Sequence, residues 1–158
     1  MSYSREVDMY PDIINSISKI MNFYGYEFNV YKTWQTFDQT LKDIYPNVVA
    51  TLNKDTLPDL TVIYKDANGQ QKCLIIEVKI GELIVKDIAQ AKMYGDIFNA
   101  NSVLLVSLKK IRKSFIEFSS INGCFLKCTN GSQLYTCVLE NGILQIQNCF
   151  PSDGGLIK

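Results

Sequence analysis

The sequence contains no histidine, and that absence excludes every mechanism that depends on an imidazole: Ser-His-Asp and Cys-His hydrolysis, His-ligated zinc, and His-mediated proton transfer. Chemistry here has to run on carboxylates, Lys, Tyr, Cys or a bound metal. A net charge is lacking too, since 16 basic residues balance 16 acidic ones. Without a global positive excess to release counterions from phosphates, any polyanion site has to be local. No apolar run approaches the roughly 18 residues needed to cross a bilayer. The opening Met1-Ser2-Tyr3-Ser4-Arg5-Glu6 also lacks the basic-then-apolar pattern of a signal peptide. The expectation is a cytoplasmic protein with no membrane partner. Internal repeats, low-complexity tracts and linkers rich in Pro, Gly or Ser are absent, so 158 residues suit one domain over 1–158.

What is present is the composition of a folded domain, 47% hydrophobic and 20% charged. From Ser4 to Tyr24, Val7, Tyr10, Ile14, Ile17 and Met21 recur at helical steps, marking one face of an amphipathic helix that Gly25 ends. Pro11 is tolerable only in a first turn or as a kink. The helix therefore begins near Tyr10, or Glu6 to Met9 form a bent turn before it. Tyr26 to Trp34 alternate like a strand, and Asp38 to Ile44 resemble a short helix stopped before Pro46. Asp59 to Lys65 and Gln71 to Ile80 read as two strands joined by the turn chemistry of Asp66-Ala67-Asn68-Gly69, a β-hairpin. After a connection, Lys86 to Asn99 carry helical periodicity through Ile88, Ala91, Met93, Gly95 and Phe98. Ser102 to Leu108 form the continuous apolar run of a buried strand. A helix over Lys110 to Ser120 and two or three short strands punctuated by Asn122-Gly123, Asn130-Gly131 and Asn141-Gly142 complete the chain, with a frayed tail from Pro151.

Chemistry concentrates on the returning strand. In Leu74-Ile75-Ile76-Glu77-Val78-Lys79-Ile80, alternation sends Leu74, Ile76, Val78 and Ile80 to one face and Glu77 with Lys79 to the other. On the partner strand Leu60, Val62 and Tyr64 form the apolar set while Asp59 and Thr61 face the opposite way, so pairing can bring Asp59 near Glu77. Two converging carboxylates repel unless a cation lies between them, and hard oxygen ligands select Mg2+ or Mn2+. An ammonium such as Lys79 beside that ion can orient a water for phosphodiester hydrolysis without histidine.

Leu57-Pro58-Asp59-Leu60, followed 18 positions after the Asp by Glu77-Val78-Lys79, resembles the PD-(D/E)XK nuclease superfamily. The resemblance implies that Asp59, Glu77 and the Val78 carbonyl bind metal and that Lys79 assists the attacking water. Gln90-Ala91-Lys92-Met93-Tyr94 matches the Gln-x-x-x-Tyr element of RecB-like members, and its spacing puts Gln90 and Tyr94 on one helix face. Arg5-Glu6-Val7-Asp8-Met9-Tyr10-Pro11 is similar to the family's first helix, which makes Glu6 a further metal residue. The likeness spans residues 5 to 108, an α/β fold with a restriction-endonuclease-like αβββαβ core and a mixed sheet flanked by helices. Residues 109 to 158 would add C-terminal β-hairpins.

Lys86, Lys92, Lys109, Lys110, Arg112 and Lys113 form a candidate basic rim for nucleic acid, although such residues often only solvate exposed faces. Cys124, Cys128, Cys137 and Cys149 would supply four thiolates to zinc or an iron-sulfur cluster if they converged, as in some RecB-like nucleases. They lack a tight C-x-x-C pair, however, and small buried residues with an occasional cross-strand disulfide are preferred. The expectation is a Mg2+- or Mn2+-dependent DNA endonuclease, acting as a homodimer if it cuts both strands. The abundance of Ile, Asn, Lys and Tyr hints at the AT-rich genome of a virus or mobile element. The alternatives are a non-catalytic DNA-binding or assembly module and an RNA- or single-strand-directed nuclease.

Overall fold

A computed structural model describes residues 3–33, 39–46, 48 and 57–152. A 3-10 turn, Glu6–Met9, leads into helix α1, Tyr10–Phe23. Pro11 sits in the first helical turn, where its missing N–H forfeits no helical hydrogen bond, so the bent-turn alternative holds. Gly25 takes a left-handed φ of +70° just past the helix end. Because the helix starts at Tyr10, its covered face runs through Tyr10, Ile13, Ile17 and Met21; Ile14, expected in that stripe, packs only at its margin.

The elements that follow are β1 (Phe28–Tyr31), α2 (Gln39–Ile44), β2 (Leu60–Lys65), β3 (Gln71–Lys79), α3 (Val85–Ile97), β4 (Ser102–Ser107), α4 (Lys113–Ile121), β5 (Gln133–Glu140) and β6 (Ile143–Leu144), with a last 3-10 turn at Ile146–Asn148. Strand β1 is shorter than expected at both ends, and the predicted outer residues Trp34 and Asp38 lie outside the described residues, as does the tail beyond Ser152. The six strands form one mixed sheet in the order β1-β2-β3-β4-β5-β6. Neighbours β1/β2, β2/β3 and β5/β6 are antiparallel, while β3/β4 and β4/β5 are parallel.

The β2–β3 hairpin closes where its turn residues predicted. Asp66 Oδ1 accepts the N–H groups of Asn68 and Gln70, each at 2.9 Å, and Gly69 supplies a φ of +74°. On one face of the sheet Leu60, Val62 and Tyr64 of β2 and Leu74, Ile76 and Val78 of β3 pack against α1. On the other face Ile63, Cys73 and Ile75 pack against Ile88, Ala91, Tyr94 and Phe98 of α3. Strand β4, flanked by β3 and β5 and covered on both faces, is buried along its whole length, which explains its unbroken apolar sequence.

Two expectations need correction, and the disfavoured cysteine cluster is not formed. Met93, read as part of the apolar face of α3, is 41% exposed, because the packed stripe runs through Ile88, Ala91, Tyr94 and Gly95. The chain after residue 108 does not merely append hairpins: β5 joins the main sheet parallel to β4, and only Asn141-Gly142, with φ of 52° and 76°, makes a tight hairpin, to β6. Asn122-Gly123 instead follows the end of α4, and Asn130-Gly131 is flanked by a single bridge, Lys127 to Gln133. The cysteines do not converge either. Cys137 and Cys149 form a disulfide within the α1-side core, Cys128 belongs to the opposite core, and Cys124 is exposed.

Gly95 allows α3 to approach the sheet, since a Cβ built there would lie 2.5 Å from Val103 Cγ2 and 2.6 Å from Cys128 Sγ. Both neighbours are short, buried side chains with little room to move. Overpacking should outweigh the better helix propensity of alanine, so Gly95→Ala is expected to lower stability by about 1–3 kcal/mol. Urea unfolding reads this directly, with Gly123→Ala, which meets nothing within 4 Å, as the near-neutral comparison.

Candidate active site

The register Leu60↔Ile76, carried one residue further, sets Asp59 opposite Glu77, and residues directly opposed in a ladder share a face. Asp59 lies just before β2 and is held from two sides. Val78 N–H donates to its Oδ2 at 2.6 Å, and the Tyr10 hydroxyl donates to its Oδ1. Burial raises the pKa of Asp59, and the hydrogen bonds from Tyr10 and Val78 and the charge of Lys79 offset part of that.

Glu77 is only 3% exposed. Lys79 Nζ donates to its Oε1 at 2.8 Å, while its Oε2 is buried with no hydrogen-bond partner among the described residues. Burial first, and the Asp59 charge second, push the Glu77 carboxyl up to about 7 against the pull of Lys79. Burial works to lower the pKa of the Lys79 ammonium, yet the hydrogen bond and charge of Glu77, with Glu6 and Asp59, leave it above the ordinary lysine value.

The first 3-10 turn brings Glu6 to the same place. Burial is the main cause of its raised pKa, and its carboxylate also feels the charges of Lys79 and Asp59 and the Ile80 amide. From the other side α3 contributes Tyr94, whose hydroxyl receives Gln90 Nε2 at 3.1 Å. Burial raises the pKa of Tyr94 against that hydrogen bond, and the charges of Glu77 and Asp59 raise it further. Asp59, Glu77, Lys79 and Glu6 thus lie within one another's electrostatic reach, and Tyr94, with Gln90 bonded to it, within reach of the first three. Val78 contributes its N–H to Asp59. Tyr10 was missed by sequence reading, which counted it among the apolar residues of the first helix; its spacing of four from Glu6 is the signal that was available.

The basic residues divide. Lys92 Nζ donates to the carbonyls of Cys124 and Phe125 at 3.1 and 3.3 Å, tying α3 to the segment after α4. Arg112 pairs with Glu82 at 2.8 Å and Lys113 with Glu117 at 3.5 Å, both exposed pairs of small energetic weight. Lys86 is exposed at the start of α3. Lys109 and Lys110 follow β4, whose Ser107 is in register with Lys79, and they line a cleft there.

The donors at the centre are all oxygens, the set that suits a hard divalent cation. Among the described residues no three His, Cys, Asp or Glu side chains form a ready metal-binding group. Electrostatics alone makes a prediction for the metal-free protein. With its folded pKa raised to about 7 from the ordinary 4.5, Glu77 favours the folded state while protonated, and that contribution is lost as pH rises through about 7. Thermal melts in chelator should therefore show wild type losing stability between pH 5 and pH 8, and Glu77→Gln losing less over the same interval.

Compared with known proteins, the chain matches no family model, no curated protein and no solved structure.

Proposed function

We propose that this chain is a metal-dependent nuclease that hydrolyses phosphodiester bonds, with DNA as the principal substrate. The observation that carries this reading is Glu77 Oε2, a buried carboxylate oxygen with no partner among the described residues, beside a second buried carboxylate. Leaving such an atom unsatisfied costs about 1–3 kcal/mol or more, which a ligand of positive charge would offset. The resemblance to PD-(D/E)XK nucleases supports the same assignment. So does the succession of α1, β1, β2, β3, α3 and β4, the order expected of that core with α2 as an insertion.

In this proposal Asp59 and Glu77 would hold Mg2+ or Mn2+, with Glu6 and the Val78 carbonyl as further oxygen donors. The cation would supply positive charge at the phosphate and acidify a water. Lys79 has the complementary role: freed from sole attachment to Glu77, its ammonium orients the water and balances the charge developing on the phosphate. Tyr10 fixes the rotamer of Asp59 through its hydrogen bond. Gln90 and Tyr94 form one polar unit on α3 that faces the carboxylates and positions the substrate. Cleavage of both strands of a duplex would call for two copies, hence a homodimer, whereas nicking needs one.

Incubation of supercoiled plasmid with Mg2+ or Mn2+ tests the proposal. Wild type is expected to nick it, and Glu77→Ala and Lys79→Ala each to lower the rate by about 100-fold or more. Retardation of DNA without any cutting would instead favour a non-catalytic binding or assembly module.

A further inference from the structure

Beside the carboxylate site, at the carboxyl ends of β4 and β5, a cleft of about 350 Å3 opens between the segment leading into α4 and the segment after β6. Parallel register fixes its place. Lys79 is level with Ser107, and Ser107 with Val138, so the cleft floor lies one to two strand spacings from Lys79, about 5–10 Å. Among the described residues its lining includes Lys109 and Lys110 and no carboxylate, and the Glu82 carboxylate, paired with Arg112 outside the lining, lies within electrostatic reach of Lys109. Neither amine forms an ion pair among the described residues, in contrast to Arg112 and Lys113 next to them. Ile111, Ile116 and Phe150 give the rest of the lining an apolar part beside polar Thr136, Gln147 and Asn148, and the Phe150 main chain is hydrogen-bonded in both directions with Thr136, at 2.8 and 2.9 Å.

Two lysines without ion pairs among the described residues, an apolar patch with one aromatic residue whose main chain is fixed to β5, and the volume of one small ligand are the features that receive a phosphate with its base attached. A duplex, whose bases stay stacked inside, cannot place one there. We infer that this cleft is a subsite for a single unpaired nucleotide of the substrate strand, adjacent to the scissile phosphate. Lys109 and Lys110 take its phosphate, and Phe150, Ile111 and Ile116 take its base. The inference rests on the nuclease reading and narrows it to strands that are single or locally unpaired.

Binding is measured apart from cutting by using Glu77→Gln as the background, in EDTA, with short fluorescent oligo(dT), oligo(U) and a duplex of equal length as probes in anisotropy titrations. Either single strand is expected to bind more tightly than the duplex. Adding Lys109→Glu and Lys110→Glu together should weaken single-strand binding by about tenfold or more and flatten its salt dependence by roughly 1 to 2 in logarithmic slope. The same charge change at Lys19→Glu and Lys65→Glu, exposed positions that do not line the cleft, should leave affinity nearly unchanged. Ile116→Ala should weaken binding without altering the slope, because it removes an apolar contact and no charge. Tighter binding of the duplex, or equal effects of the two lysine pairs, would overturn the subsite. Failure of wild type to cut both plasmid and single-stranded DNA in Mg2+ or Mn2+ would instead count against the nuclease reading.

Discussion

Burying a carboxylate without a full set of partners is among the most expensive arrangements a fold can contain, and Glu77 is held in that state by the strand that carries it. Its neighbours Ile76 and Val78 point into the α1-side core and Ile75 into the α3-side core, so the backbone cannot shift to expose the charge without opening both. The elements around it then make sense as supports. The hairpin register brings Asp59 across from it, and the bent turn before α1 delivers Glu6 and Tyr10. Lys79, two residues along the same strand, satisfies one of its two oxygens and leaves the other.

The two cores divide the work of positioning. The α1 side holds the entry of β2, through Tyr10 on Asp59, while the α3 side holds Tyr94 and Gln90 over the exit of β3. Gly95 is what lets α3 come down far enough to do so, because any side chain there would meet Val103 and Cys128. Beyond β3, the parallel strands β4 and β5 extend the sheet and line up their carboxyl ends with Lys79. Open α/β sheets commonly bind ligands at that end. Among the described residues no helix is long and apolar enough to cross a membrane.

Much of the hairpin was legible in the sequence because its determinants are local. Alternation sorted Glu77 and Lys79 from Ile76 and Val78, and Asp66 with Gly69 marked the turn, while the register that pairs 59 with 77 was left open by the sequence and is set by the folded ladder. Pro11 likewise marked the start of α1. What escaped depends on partners distant in sequence. The parallel pairing of β5 with β4 is set by packing across a crossover, and no local pattern announces it. Tyr10 reads as one more apolar residue until a carboxylate 49 positions away meets its hydroxyl. Lys92 reads as a free cation until the carbonyls of Cys124 and Phe125 are found to hold it. Helix faces are sensitive to where the helix begins, which is why Ile13 rather than Ile14 is fully covered.

The account stands on a cation shared by Asp59 and Glu77, and calorimetric titration of the metal-free protein with Mn2+ measures that sharing without reference to any substrate. Wild type should bind the ion in a saturable step, and Asp59→Asn and Glu77→Gln should each abolish that step while remaining folded by circular dichroism. Undiminished Mn2+ binding in both variants, or none in wild type, would contradict it.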